Sequence, residues 1–214
     1  MVGGGDGGMV KAVLFDFGNV LYNFDYQRFF DAAARHSDLS ADGIREVLFG
    51  GADSLAVQFE TGRLPSDEFL ALLAERARIS LPPDGIAEIF TDIYDEHEAH
   101  IALVFAVAEH MPVALVSNTN ALHYERFMGS TPVVAAMSAV SLSYQVGAMK
   151  PAPAMYDTVR KQLSLAPPEC VYIDDIREYT DAARSMGFVS IQCLPQTDLR
   201  RELADAGVPT HGSR

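Results

Sequence analysis

Five short apolar runs, at 12–17, 113–117, 133–137, 171–173 and 189–193, constrain the fold more than any other feature of the chain. Each is nearly free of charge and rich in Val, Ile, Leu and Phe. Continuous apolar runs of this length suit strands buried on both faces, as in a parallel sheet; one-sided strands alternate instead. Helical patterns lie between the runs: one closing at 105–109, then 121–128, 152–163, 180–186 ending near Gly187, and a closing helix at 197–206. Strand–helix alternation predicts βαβ units with right-handed crossovers, an α/β architecture around a Rossmann-like parallel sheet.

The alternation breaks once. Between 26 and 100 no run reads as a strand, and the spacing predicts several amphipathic helices. These are 26–36, 40–49, one opening at Pro65-Ser66-Asp67-Glu68 with Ser66 as its N-cap, and one opening at Pro82-Pro83-Asp84. The expected organisation is a flexible 1–9, an α/β core from 10–25 and 101–214, and a helical insert at 26–100. Gly3, Gly5 and Gly8 spell G-x-G-x-x-G, but they precede the first strand instead of following it, so they read as a floppy terminus. The end, 211–214, is expected to fray.

The chain has 214 residues, enough for one sizeable domain carrying a small insert. At 49% hydrophobic and 21% charged, it is too apolar to be disordered. Lys plus Arg is 16 against 29 Asp plus Glu, a net charge of -13. That balance argues against nucleic acid as a partner, because phosphate backbones demand basic surface. It leaves small anions open, since a bound metal or a local cation reverses the field. No apolar run reaches the roughly 18 residues that span a bilayer, and the first residues lack the basic and apolar regions of a signal peptide. Cys170 and Cys193 form no C-x-x-C and read as core residues of a cytoplasmic protein.

Ligands of parallel α/β sheets bind beyond the carboxyl ends of the strands. Four groups fall at such ends: Asp16-Phe17-Gly18-Asn19-Val20, Ser117-Asn118-Thr119-Asn120, Lys150-Pro151 and Asp174-Asp175. Singly each has a bland reading, as turn, cap, solvated lysine or loop pair. Together they form one chemical set. Carboxylates gather only where a cation offsets their repulsion, and lysine with Ser/Asn amides suits phosphate oxygens.

The words VLFDFGNVL, LVSNTN, Lys150-Pro151 and VYIDDIREYTDAARSMG, in that order, resemble the four motifs of the haloacid dehalogenase (HAD) superfamily. The helical insert lies where that family carries its type 1 cap, and the resemblance covers nearly the whole chain. Within the superfamily, SNTNxxH and LSYQVGAMKPAPAMY look like the bacterial sugar-phosphate phosphatases acting on glucose 1-phosphate, and the phosphatase domain of soluble epoxide hydrolases is similar. The resemblance implies a HAD fold and a phosphatase for a small phosphorylated metabolite such as a hexose 1-phosphate. Asp16 would form an aspartyl phosphate. Mg²⁺ would be held by Asp16, the Gly18 carbonyl and Asp175, with Asp174 ligating directly or through water. Ser117 and the Asn118 amide would hold phosphate oxygens, and Lys150 would neutralise charge. A monomer or homodimer is expected.

The resemblance breaks at Gly18. Family phosphatases usually carry there a second aspartate that protonates the leaving oxygen and later activates water, a contribution of roughly 10²–10⁴-fold. Three consequences follow: a leaving group good enough to depart unprotonated, a cap residue or water in place of the acid, or a slow or inactive enzyme. The glucose 1-phosphate phosphatases also carry glycine here, which favours a working enzyme with an acid-independent first step. Motif four departs as well, with Glu178 open to the orienting role and Arg177 either beside the acids or solvated. A metal-independent 2-haloacid dehalogenase is the alternative enzyme, against which the Asp174-Asp175 pair argues. A catalytically weakened binding or regulatory module is the alternative outside catalysis.

Other residues are open to two readings. Asn120 and His123 either line the substrate entrance or are a helix cap and a surface histidine. Asp25 and Tyr26 either face the site or cap the next helix. Arg28, Gln58 and Arg63 are candidate substrate contacts of the insert. His97 and His100 do not spell H-E-x-x-H and read as a solvated helix face.

Overall fold

The computed structural model describes residues 9–212. Gly3, Gly5, Gly8 and the last two residues of the expected frayed end lie outside this range. Five parallel strands form the central sheet: β1 (Ala12–Phe15), β4 (Val113–Ser117), β5 (Ala139–Leu142), β6 (Cys170–Asp174) and β7 (Val189–Gln192). Their order is β5-β4-β1-β6-β7. Every residue of β1, β4 and β6 is buried, as their unbroken apolar runs demand. Alternation along β1 splits the packing. Val13 and Phe15 face a layer holding α6 (Glu98–Ala108), α8 (Pro132–Ala135) and α12 (Leu199–Asp205). Ala12 and Leu14 face α10 (Pro153–Leu163) and α11 (Arg177–Ser185).

The insert holds five helices: α1 (Tyr26–Ala34), α2 (Ala41–Phe49), α3 (Leu55–Glu60), α4 (Ser66–Arg76) and α5 (Pro83–Thr91). Phe29, Phe30, Phe59, Phe69, Leu73 and Phe90 form a second apolar core among them. The chain enters through β2 (Tyr22–Phe24) and returns through β3 (Tyr94–Glu96), which pair antiparallel with Phe24 opposite Tyr94. The Asp25 N–H donates to the Ile93 carbonyl at 2.9 Å and extends this ribbon. Among the described residues no helix is long and apolar enough to cross a membrane.

Three expectations are corrected. The run 133–137 is not a strand: Pro132 at the first helical turn and the Thr131 side chain, accepting from the Val134 N–H, start α8 instead. Val133 and Val134 are apolar because they pack under the sheet. The strand beside β4 is 139–142. The insert contains a strand, β3, which is too short and too exposed to leave a pattern. Ser66 is not the N-cap of α4; Pro65 holds that place in extended conformation and makes no side-chain cap bond.

Candidate active site

The chain runs from β1 outward through β4 and β5, then crosses back to β6 and β7. The carboxyl ends of β4, β1 and β6 therefore adjoin where the strand order reverses, the place where open α/β sheets bind ligands. Asp16 directly follows β1. Its N–H donates to the Ile173 carbonyl at 2.9 Å, and its Oδ1 accepts the Phe17 N–H at 2.7 Å. Ser117 ends β4, Asp174 ends β6, and Lys150 arrives from the turn ahead of α10.

Lys150 Nζ lies 2.7 Å from Asp16 Oδ1 and 2.7 Å from Asp174 Oδ2. The ammonium also stands 5.1 Å from the centre of the Tyr179 ring. Asp174 accepts the Tyr172 hydroxyl on Oδ2 and the Ile176 N–H, at 2.8 Å, on Oδ1. Asp175, half-buried, accepts from Asn19 Nδ2 at 3.0 Å. Asn19 adopts φ 55°, a left-handed turn that asparagine tolerates. Burial opposes the charge on Lys150, but Asp16 and Asp174 outweigh it and hold the ammonium above its usual range. Burial pushes the Asp16 carboxyl up, against the pull of Lys150, and Asp174 and Asp175 add to the rise. Burial also raises Asp175.

Asp16, Asp174 and Asp175 each offer an oxygen within 4.8 Å of the others. Three carboxylates thus face one ammonium, an all-oxygen donor set that fits a hard divalent cation such as Mg²⁺. Gly18, between Asp16 and Asn19 in the chain, lines the cavity beside them.

Asn118 spends its side chain on structure. Its Oδ1 accepts the Lys150 N–H at 2.7 Å, and its Nδ2 donates to the Lys150 carbonyl and the Tyr179 hydroxyl, each at 3.4 Å. Its backbone amide remains, beside the Ser117 hydroxyl, for a ligand oxygen. Ser143 Oγ braces the same loop, accepting the Thr119 N–H at 2.9 Å and donating to its carbonyl at 2.7 Å.

Two small cavities open here. One of about 190 Å³ touches Asp16, Lys150, Asp175 and Tyr179. The other, about 70 Å³, touches Ser117, Thr119, Tyr26 and His123. Gly18, Phe24, Glu60 and Asn118 border both. A larger depression of about 540 Å³ lies on the far side of Asp175, lined by His97, His100 and Cys193. It meets neither Asp16 nor Lys150, so the smaller pair is where this chemistry sits.

The remaining candidates separate clearly. His123 is buried, not superficial; its Nε2 pairs with the Tyr26 hydroxyl at 3.3 Å, and its Nδ1 has no partner among the described residues. Burial pushes its imidazole down to about 3. Asn120 caps α7 (Ala121–Arg126), accepting the His123 N–H at 3.0 Å. Asp25 caps α1, while Tyr26 borders the smaller cavity. Arg28 pairs with Asp95, Arg63 with Asp53, and Gln58 donates to the Asp53 carbonyl, all away from the cavities. Glu178 is exposed, and Arg177 pairs with Asp181 at 3.4 Å. His97 and His100 are not a simple solvated face: their rings stack with centroids 3.6 Å apart, and His100 Nδ1–H donates to the Val20 carbonyl at 2.7 Å. Cys170 and Cys193 are buried, free thiols pushed up to about 11 by burial.

Sequence reasoning missed Glu60, Phe24 and Tyr179. For Glu60 a signal existed: it stands four residues after the buried Ala56, on the apolar side of its helix. Phe24 fills the space over Gly18, where an added Cβ would lie 2.7 Å from Phe24 Cε1 and 3.0 Å from Cδ1. The position that lacks the second aspartate is covered by an aromatic ring.

Comparison with known proteins finds related sequences and a shared fold. The chain is 25% identical over 206 residues to a D-ribitol-5-phosphate phosphatase of Bacteroides thetaiotaomicron, covering 91% of this chain and 97% of that one. It is 28% identical over 187 residues to Phosphatase MT3486 of Mycobacterium tuberculosis, covering 83% and 84%. The fold is shared with the HAD family enzyme bt-2542 of Bacteroides thetaiotaomicron, solved with magnesium and inorganic phosphate (TM-score 0.78, 22% identity, 90% of this chain and 98% of that one). With a family model matching residues 10–187, the chain belongs to the haloacid dehalogenase-like hydrolases.

Proposed function

We propose that this hydrolase is a Mg²⁺-dependent phosphatase acting on a small phosphorylated metabolite, a sugar or sugar-alcohol phosphate, through an aspartyl phosphate on Asp16. The observation that carries this reading is the Lys150 ammonium, bonded at once to Asp16 and Asp174, beside Asp175 and the Ser117–Asn118 turn. The phosphatase names of two relatives support it. So does the size of the cavities, well below the roughly 300–1,000 Å³ of drug-sized sites.

The residues divide the work as phosphoryl transfer requires. Ser117 Oγ and the Asn118 amide hold non-bridging oxygens of the phosphate. Lys150 pulls negative charge off the transferring group and aims Asp16. The Asp16 oxygen then attacks phosphorus, splitting one displacement into two. Asp16, Asp174, Asp175 and the Gly18 carbonyl would hold Mg²⁺. When bound, that ion supplies charge neutralisation at the phosphate oxygens. The preorganised site does most of the catalysis by positioning and electrostatics.

A panel of sugar and sugar-alcohol phosphates, assayed for phosphate release with and without Mg²⁺, tests the reading. Metal-dependent release that disappears in Asp16→Asn is expected. Retained activity in Asp16→Asn would overturn the mechanism. Metal-free chloride release from 2-chloropropionate would assign a dehalogenase instead, and no turnover of any substrate would leave a binding module.

A further inference from the structure

We propose that Glu60, reaching in from the helical insert, is the general acid and base that position 18 does not supply. The inference rests on the phosphatase reading above and replaces the acid-independent first step expected from the sequence.

Four observations converge on this side chain. First, Glu60 stands on the wall shared by the two cavities, with Asp16 and Lys150 bordering one and Ser117 the other. Among the residues that line these two cavities, Glu60 is the carboxyl that the insert contributes. Second, Asp16 and Asp175, the other acids of these cavities, lie in the three-carboxylate cluster, and Glu60 does not belong to it. Third, the Phe24 ring occupies the space over Gly18, so the usual acid has no room unless that ring swings out. Fourth, Glu60 is held firmly over the site. Its neighbour Phe59 stacks on Phe69 with centroids 4.0 Å apart. Two residues on, Gly62 turns at φ 68° against the core, where an added Cβ would meet the Tyr144 carbonyl oxygen at 2.1 Å.

The surroundings suit a carboxyl that exchanges a proton. Tyr26 and Tyr94 face Glu60 within the insert and its ribbon, His123 faces it from α7, and Asp16, Lys150, Asp175 and Tyr179 border the cavity opposite. The Lys150 ammonium is already bonded to Asp16 and Asp174. Burial pushes Glu60 up to about 7, where both protonation states are accessible near neutrality. His123, kept neutral by burial, is a poor proton donor by comparison.

The proton balance closes over two steps. In the first, the Asp16 carboxylate attacks phosphorus, the bond from phosphorus to the leaving oxygen breaks, and that oxygen takes the Glu60 proton and departs as an alcohol. In the second, the Glu60 carboxylate removes a proton from water as the water oxygen attacks the aspartyl phosphate. Inorganic phosphate leaves, Asp16 is again a carboxylate, and Glu60 is again protonated.

The test uses phenyl phosphate and p-nitrophenyl phosphate, which differ in leaving-group basicity and carry no hydroxyl for a binding contact. In Glu60→Gln, kcat/KM for phenyl phosphate is expected to fall by about 10²-fold or more, and for p-nitrophenyl phosphate by less than about tenfold. Loss of the base should let the phosphoenzyme accumulate, giving a burst of nitrophenolate in Glu60→Gln. Glu60→Asp, which keeps a carboxyl, is expected to recover part of the phenyl phosphate activity. Equal losses on both substrates, no loss on phenyl phosphate, or a Glu60→Asp enzyme no better than Glu60→Gln would overturn the proposal while leaving the phosphatase intact. A wild-type chain that releases phosphate from neither ester or any metabolite would overturn the phosphatase reading and this proposal with it.

Discussion

Lys150 Nζ and Asp174 Oδ2 stand 2.7 Å apart with both side chains shut off from solvent. Removing one member of a buried pair strands the other charge, a loss of about 3–5 kcal/mol. Here the loss is aggravated, because Asp16 and Asp175 share the same pocket. Lys150→Met is expected to lose that much stability in chemical denaturation, along with phosphatase turnover. A variant as stable as the wild type would show that the carboxylates do not depend on this ammonium.

Mg²⁺ should stabilise the folded chain by mass action, about 2.7 kcal/mol at a hundredfold excess over Kd. Asp175, half-buried and bonded to Asn19, is the cluster's most accessible acid. Asp175→Asn is expected to fold and to lose most of the Mg²⁺-induced rise in Tm. An equal rise in both proteins would place the ion elsewhere.

Installing the missing acid by Gly18→Asp alone is expected to fail. The new side chain collides with Phe24, and overpacking of this kind costs about 1–3 kcal/mol. Phe24 is 40% exposed, so truncating it should be cheap. The double variant Gly18→Asp, Phe24→Ala is expected to regain the stability lost by Gly18→Asp, giving a favourable coupling in a double-mutant cycle. Purely additive effects would mean that the ring already moves freely.

Gly62 and Gly51 make a matched pair. Both have positive φ, 68° and 82°, yet a Cβ at Gly62 strikes the Tyr144 carbonyl and one at Gly51 meets nothing within 4 Å. Alanine strains the backbone at either site. At Gly62 it must also lift the end of α3 away from the core. Gly62→Ala is expected to lower kcat on the order of 10²-fold, as a misplacement of about 1 Å can, while Gly51→Ala leaves turnover unchanged. Equal kinetics in the two variants would refute this seating of Glu60.

The acid side of the stability curve should carry the signature of His123. Its imidazole is pushed down to about 3 from an ordinary value of 6.5. Below 6.5 the unfolded chain takes a proton that the folded chain refuses, so stability falls as pH drops through this window. The slope is at most about 1.4 kcal/mol per pH unit. His123→Gln keeps a partner for Tyr26 and removes the titration. Its denaturation midpoints at about pH 7 and about pH 4.5 are expected to lie closer together than those of the wild type.

The sheet and most of the site were legible because both are local. Apolar runs such as 113–117 and 171–173 carry their own burial signal, and the polar residues that end them stand at the carboxyl edge. Misreading began where tertiary packing overrode local pattern. Val133 and Val134 look like strand but are held in a helix by Thr131 and Pro132. Nor was there any sign in the sequence that the Asn118 side chain holds the Lys150 backbone, a contact between two distant loops. Glu60 carried only the faint signal of its helical spacing, because the packing of the insert, and no motif, brings it to the cavity that Asp16 lines, while Phe24 is one exposed aromatic residue of a three-residue strand and left no signal.

The β2–β3 ribbon has a consequence for how such a chain can change over evolution. With Phe24 opposite Tyr94, the chain leaves the sheet and returns to it at neighbouring points. The ends of the intervening loop are already joined, so its length is almost free: each doubling adds only about 0.6 kcal/mol of closure entropy. Helices can be gained, lost or exchanged in that loop without moving the register of β1 or the atoms around Asp16. Selection for a new leaving group can then act on the part of the protein that holds Glu60 while the phosphate-handling part stays fixed.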